Sequence, residues 1–269
     1  MNELVLRLTG IRKVFFRGTA DQVEALAGID LAVAPGDFVT IVGSNGAGKS
    51  TLLDVVSGIQ VVDGGQVELD GRDITGEPMY ARAHAIGRVN QDPKSGSAAN
   101  LTVEQNLALA LLRGARRGLG RGVTADRREL FRKMLAPLGL GLEARLSVPA
   151  GTLSGGQRQA LALAIAKLTP PRLLLLDEHT AALDARVAPL VMDITRRLVE
   201  EESITTMMVT HNLEQAIAFG NRLVMMHAGR IVLDIGGDQK HSLTVPELVA
   251  RFEHQAAQHL VDDTLLLNA

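Results

Sequence analysis

Three short stretches hold the residues whose types and spacing can do chemistry. The first is Gly43-Ser44-Asn45-Gly46-Ala47-Gly48-Lys49-Ser50-Thr51. A glycine, four free positions and then Gly-Lys-Ser make a phosphate-loop pattern, in which Lys49 reaches terminal phosphates and the Ser50 hydroxyl ligates magnesium. The second is Asp177-Glu178, directly after four leucines. Acids at the carboxyl end of a buried strand sit where open α/β sheets place their active sites. There Asp177 can hold magnesium through its water shell, and Glu178 can polarise an attacking water. The third is Leu153-Ser154-Gly155-Gly156-Gln157. Ser154 stands at an N-cap position, and two glycines leave the first backbone N–H groups of the following helix uncovered, a second helix start suited to an anion.

The elements that position these residues follow from local pattern. Residues 38–42 are apolar and β-branched and read as a buried strand, and residues 52–56 read as the first turns of a helix. Strand, glycine-rich turn and helix start then aim N–H groups and a helix dipole at one point. Residues 173–176 predict a buried parallel strand. Residues 157–168 predict a helix with Leu161, Ala164, Ile165 and Leu168 on one face. Alternating segments at 4–8, 29–33 and 66–71 suggest a small antiparallel layer completed by about residue 82. Residues 86–91 form a short strand running into a polar loop, and residues 92–100, rich in Gly, Ser and Pro, mark a flexible link.

A helix is expected from Thr102, with Leu107, Leu111 and Leu112 on a common face. Residues 113–128 are basic and glycine-rich and read as a solvated loop, and residues 129–138 as another helix, stopped by Gly139 and Gly141. The stretch 92–168 is thus helical and lies between two halves of an α/β core. The core resumes at 173, with a helix at 188–202, a strand at 205–210 and a helix at about 213–219. A strand pair at 222–226 and 230–234 turns at Gly229. Thr244 and Glu247 have capping-box spacing, with Pro246 in the first turn. Leu248, Val249, Phe252 and Ala256 share an apolar face of a short terminal helix.

Composition narrows the class. The chain has 269 residues, a net charge of −2 and no cysteine. No global field draws it to nucleic acid, and disulfides and thiolate metal sites are excluded. Aromatic residues make up 3%, too few for a single-strand stacking platform, so no nucleic-acid partner is expected. Met1-Asn2-Glu3-Leu4 lacks a basic segment followed by an apolar one, so no secretory signal is expected. No apolar run approaches the ~20 residues that span a bilayer, so membrane association is expected only through a partner.

The ordered set GSNGAGKST (43–51), Gln91, LSGGQ (153–157), LLLLDE (173–178), AALD (181–184) and Thr210-His211 resembles the ATP-binding subunits of ATP-binding cassette (ABC) transporters. The resemblance covers about residues 4–236. It implies an α/β P-loop NTPase fold, an ABC-type ATPase domain with a RecA-like core, an antiparallel β subdomain and an inserted α-helical subdomain. By that resemblance residues 4–91 and 169–236 are the core with its β layer, 92–168 the helical subdomain with the signature, and 237–269 a short tail.

The resemblance also implies roles. ATP and magnesium ion are the expected ligands. Gly43, Ser44, Asn45, Gly46, Ala47 and Gly48 line the phosphates, Lys49 contacts the β- and γ-phosphates, Ser50 the magnesium and Thr51 the α-phosphate. Gln91 senses the magnesium and γ-phosphate, Glu178 is the general base and His211 the switch histidine. Phe15 is the adenine-stacking aromatic, with Phe16 in reserve. Ser154, Gly155, Gly156 and Gln157 face the nucleotide of a second ATP-binding subunit in a head-to-tail dimer, and Asp184 crosses that interface. One departure stands out: His179 occupies the position where the family commonly has proline, and no catalytic role is assigned to it.

The string DEHTAALD with GSNGAGKST resembles a bacterial importer subgroup with branched-chain amino acid-type permeases and a lipoprotein-like extracytoplasmic solute-binding protein. The implied setting is the cytoplasmic, inner face of the cell membrane, and the implied cargo an amino acid or similar small solute. The alternative is a soluble ABC ATPase of an assembly system, for example iron–sulfur assembly. A non-enzymatic scaffold would have damaged motifs, whereas Lys49, Gln91, Ser154, Asp177, Glu178 and His211 all stand.

Overall fold

Alternation of apolar and polar residues after Leu4 produces a long strand, β1 (Leu6–Phe15), in which Leu6, Leu8 and Ile11 are buried and Arg7 and Arg12 are exposed. A computed structural model describes residues 4–113 and 120–254 of the chain. The chain divides into two compact units, residues 1–79 with 205–269, and residues 80–204. In the first unit β1 pairs antiparallel with β2 (Val23–Val33). The buried strand expected at 38–42 is β3 (Phe38–Gly43), and the helix after the phosphate loop is α1 (Lys49–Ser57). β4 (Gly64–Leu69) pairs with β1, and β5 (Arg72–Asp73) with β4, giving the antiparallel order β2-β1-β4-β5. The expectation that residues up to about 82 complete this layer needs correction. Strand pairing ends at Asp73, and a one-turn helix, α2 (Met79–Arg82), follows.

The second unit opens with β6 (Ile86–Val89). The flexible link at 92–100 contains a 3₁₀ turn, Pro93–Gly96, capped by the Asp92 side chain. Helix α3 (Val103–Ala110) starts on a complete Thr102–Gln105 capping box. It ends before Leu111 and Leu112, so of the three leucines expected on one face only Leu107 lies on the helix, fully buried. The helix expected at 129–138 starts earlier, as α4 (Ala125–Leu135), because Thr124 caps it at Arg127 N. The last part of the expected solvated loop is therefore helical, and its residues 114–119 lie outside the described residues. Gly139 and Gly141 take left-handed conformations, as stop signals do. Then come α5 (Gly155–Leu168), β7 (Leu173–Asp177) and α6 (Ala188–Glu202). β6 and β7 pair in parallel, with Val89 opposite Leu176.

The chain returns to the first unit through β8 (Thr206–Val209), α7 (Leu213–Ala218), β9 (Arg222–His227), β10 (Arg230–Gly236) and α8 (Asp238–His241). Here β3 is flanked in parallel by β8 and β9, and β10 pairs antiparallel with β9. A strand buried on both faces reads as an unbroken apolar run, which is why 38–42 was legible. Lys240 closes this unit. It is fully buried, and its ammonium donates to the carbonyls of Ile217 in the last turn of α7 and of Phe219 and Gly220 just beyond it, where a helix C-terminus favours a cation. The expected capping box forms: Thr244 and Glu247 bond to each other, and a helix runs over residues 245–254 with Leu248 fully buried. Residues 1–3 of the expected signal-free start, Ala256 and the rest of the tail to 269 lie outside the described residues.

Candidate functional site

In the first unit the phosphate loop joins β3 to α1. Ser44, Asn45 and Gly46 are exposed, while Ala47, Gly48 and Lys49 are buried. The turn is held by Ala47 N donating to Ser44 O and by Gly229 N donating to Ala47 O. Gly48 is required where it stands. Its φ is +96°, and a Cβ there would lie 2.3 Å from the carbonyl oxygen of Ala25. The Lys49 ammonium donates to the carbonyls of Gly43 (2.9 Å) and Ser44 (3.0 Å), which fixes it over the loop with one hydrogen left for an anion. Ser50 is exposed and Thr51 half-buried in the first turn of α1.

His211 follows β8. Pairing of Ile41 with Val209 puts Gly43 and His211 each two residues further on, at neighbouring carboxyl strand ends. His211 is exposed, and both its neighbours are pinned: Thr210 N donates to Ile41 O, and Asn212 caps α7 through Gln215 N. Phe15 ends β1 half-buried, with the Lys13 ammonium 5.4 Å from its ring centre. Phe16, at φ 52° and 68% exposed, is tilted 47° to it.

In the second unit the same geometry recurs. Pairing of Val89 with Leu176 brings Gln91 and Glu178 to adjacent carboxyl ends. Gln91 is exposed. Asp177 is buried, and Arg88 Nη2 donates to its Oδ2 at 3.0 Å. Glu178 is half-buried and takes φ 41°, a left-handed conformation that a non-glycine residue rarely adopts. Ser154 caps α5 in a full capping box with Gln157, and the Gln157 amide also donates to Leu140 O. Ser154 and Gly155 are exposed and Gly156 buried, where a Cβ would lie 2.2 Å from Val187 Cγ1. Asp184 is exposed, and its Oδ1 accepts from the N–H groups of Arg186 and Val187, which sets the start of α6.

Sequence reasoning missed two side chains here, Arg88 and Gln159, and left a third, His179, without a role. Gln159, 1% exposed, donates to Asn90 O and so ties the signature helix to the residue before Gln91. His179 is 2% exposed, with its Nε2 2.9 Å from Thr195 Oγ1, and burial pushes its pKa down to about 4. A polar residue inside an otherwise apolar helix face was the available signal for Gln159. Nothing local marked the partners of Arg88 and His179.

Ser50 in the first unit, and Asp177 and Gln91 in the second, each carry oxygen donors, the ligand chemistry of magnesium. Among the described residues no three His, Cys, Asp or Glu side chains gather into a metal cage, so such an ion would depend on the phosphates it accompanies.

A parallel strand, a glycine loop clamping its own lysine and an open helix start define a nucleotide-phosphate-binding protein. The chain belongs to the ABC transporter family: the family model described as "ABC transporter" matches residues 26–181. It is 40% identical over 250 residues to the tyrosine transport ATP-binding protein of Clostridioides difficile, covering 93% of this chain and 99% of that one. It is 37% identical to the lipoprotein-releasing system ATP-binding protein LolD of Ruegeria pomeroyi, covering 86% and 98%. Among solved structures it resembles the dimeric post-hydrolysis state of the ATP-binding cassette MJ0796 bound to ADP and Pi. The TM-score there is 0.73 at 28% identity, over 86% of this chain and 98% of that one. The fold is the P-loop ABC ATPase fold with its antiparallel sheet and helical part, and the chain is an ABC-type ATPase, the ATP-binding subunit of a transporter. No described helix is long and apolar enough to cross a membrane.

Proposed function

We propose that this chain powers a bacterial importer of an amino acid or similarly small solute, with a permease of the branched-chain amino acid type and an extracytoplasmic binding protein. The observation that carries the solute class is the end-to-end 40% identity to a tyrosine transport subunit. The named relatives are transport or lipoprotein-release subunits, which favours a membrane-coupled engine over a soluble assembly ATPase. The chain works as a head-to-tail pair on the inner face of the membrane. The permease docks in an open cleft of ≈ 440 Å³ in the second unit, lined by Ser97, Asn106, Leu109, Arg113 and Ile165.

In this reading the N–H groups of residues 44–49 wrap the phosphates, Lys49 holds the β- and γ-phosphates and Thr51 the α-phosphate. Ser50, Gln91 and Asp177 would hold a magnesium ion, which would supply charge neutralisation to the phosphates. Glu178 takes a proton from water as the water oxygen bonds to the γ-phosphorus, and the bond from that phosphorus to the β,γ-bridging oxygen breaks to release ADP and inorganic phosphate. His211 and Lys49 stabilise charge on the transferring group. Phe15 stacks on adenine. Ser154, Gly155, Gly156 and Gln157 of each subunit close on the other's γ-phosphate, and Asp184 meets the partner. A nucleotide that touches both subunits favours the closed pair, and its hydrolysis removes that preference.

Two measurements test this. Glu178→Gln in the full chain should bind ATP, lose turnover by about a hundredfold or more, and accumulate an ATP-dependent dimer on size-exclusion light scattering. Wild-type turnover in that variant removes Glu178 as the base. Uptake of labelled amino acids should fall in cells carrying Lys49→Ala; unchanged uptake of every amino acid tested rejects the cargo class.

A further inference from the structure

His179 is the one buried ionisable side chain in the 177–184 segment that the reaction above leaves unused. Its ring is 2% exposed, and its Nε2 lies 2.9 Å from the hydroxyl of Thr195, itself fully buried on α6. Thr195 Oγ1 also lies 2.9 Å from the carbonyl of Val191, which can accept but not donate; with the hydroxyl hydrogen on that carbonyl, the hydroxyl accepts from the ring as the Nε2–H tautomer. A threonine bonded back to its own helix in this way adds little to the helix, so the pair is not explained by helix stability.

The neighbouring residue needs what this bond provides. Glu178 sits at φ 41°, and a non-glycine residue keeps such a conformation only when its surroundings over-determine it. On its N-terminal side β7 and the Arg88–Asp177 pair hold the chain. On its C-terminal side Ala181 N donates to Glu178 O, and His179 is tied to Thr195, which lies on the buried face of α6 between Val191 and Leu198 in sequence. Relaxing Glu178 to an ordinary φ would swing the His179 ring out of its buried place and break its bond. We propose that His179, through Thr195, is a positioning residue that locks the backbone of Glu178 and so aims its carboxylate. This rests on Glu178 acting as the general base.

The test compares Thr195→Val, which keeps the shape and removes the acceptor, with Thr195→Ser, which keeps it. Steady-state ATP hydrolysis by the full chain is read as kcat and as KM for ATP in saturating magnesium. Thr195→Val should lose about tenfold in kcat with KM within about twofold, as a misaimed base does, and Thr195→Ser should stay near wild type. His179→Gln, whose amide nitrogen can reach the same hydroxyl, should keep most of kcat, and His179→Leu should match Thr195→Val. Nitrogen NMR of the wild-type ring should show the Nε2–H tautomer. Wild-type kcat in Thr195→Val beside an inactive Glu178→Gln overturns the positioning role alone. An equal loss in Thr195→Ser, or a parallel change in KM, reduces the pair to packing and also overturns it. Wild-type turnover in Glu178→Gln instead removes the base, and the positioning role with it.

Discussion

Arg88 on β6 donates to the carboxylate of Asp177 at the end of β7 across 3.0 Å, and the two side chains are only 15% and 10% exposed. The parallel register places Arg88 opposite Leu175, so its side chain reaches forward two residues to the strand end. Removing one partner of a buried pair leaves a charge that has lost both water and counter-ion. Arg88→Met should therefore destabilise the fold by about 3 kcal/mol in urea titration. Adding Asp177→Asn should recover part of that loss. Strict additivity of the two changes would show that the ion pair carries no coupling.

Gly156 leaves no room for a side chain beneath the start of α5. Gly156→Ala should cost about 1–3 kcal/mol, because a Cβ 2.2 Å from Val187 Cγ1 forces the two apart. Val187→Ala should restore most of that stability in the double variant. Thermal unfolding reads both; a double variant no more stable than Gly156→Ala rejects the contact.

The two phenylalanines at the end of β1 should separate in nucleotide affinity. Lys13 lies over the half-buried Phe15 ring, and base–aromatic stacking contributes about 1–3 kcal/mol. Phe15→Ala should weaken ATP binding at least about fivefold in fluorescence titration with a non-hydrolysable analogue, and Phe16→Ala by less. The reverse order would move the platform to Phe16.

Glu104 and Arg128 join α3 to α4 through two hydrogen bonds, at 2.7 and 3.0 Å. The Arg128 hydrogen bond holds the Glu104 carboxyl below its ordinary value of 4.5. A carboxyl with a depressed folded pKa stabilises fully above the unfolded value and loses that contribution as pH falls through the folded one. Glu104→Gln should thus be less stable than wild type by roughly 1–2 kcal/mol at pH 7, since Arg128 is half exposed. The gap should stay level down to about pH 5 and close below it. A gap that persists at pH 3 would mean that packing, not charge, links the helices.

Local rules read much of this protein from its residues alone. The phosphate loop between β3 and α1, the leucine strand ending in Asp177 and the Ser154 N-cap were legible. Each rests on residues within one turn or one strand of each other, where backbone geometry ties type to position. The membership of the family followed from the same motifs in order. Helix bounds slipped where a cap lay outside the apolar pattern, as at Thr124, and β2 ran back past Gly28 because pairing with β1 supports it.

What only the folded chain decided lies between residues far apart in number. Arg88 meets Asp177 at a separation of 89, Gln159 meets Asn90 at 69 and His179 meets Thr195 at 16. An arginine, a glutamine or a histidine carries no local sign of its partner. The register of β6 on β7 and the rotation of α5 and α6 about their axes choose it, and both are set by how apolar faces pack.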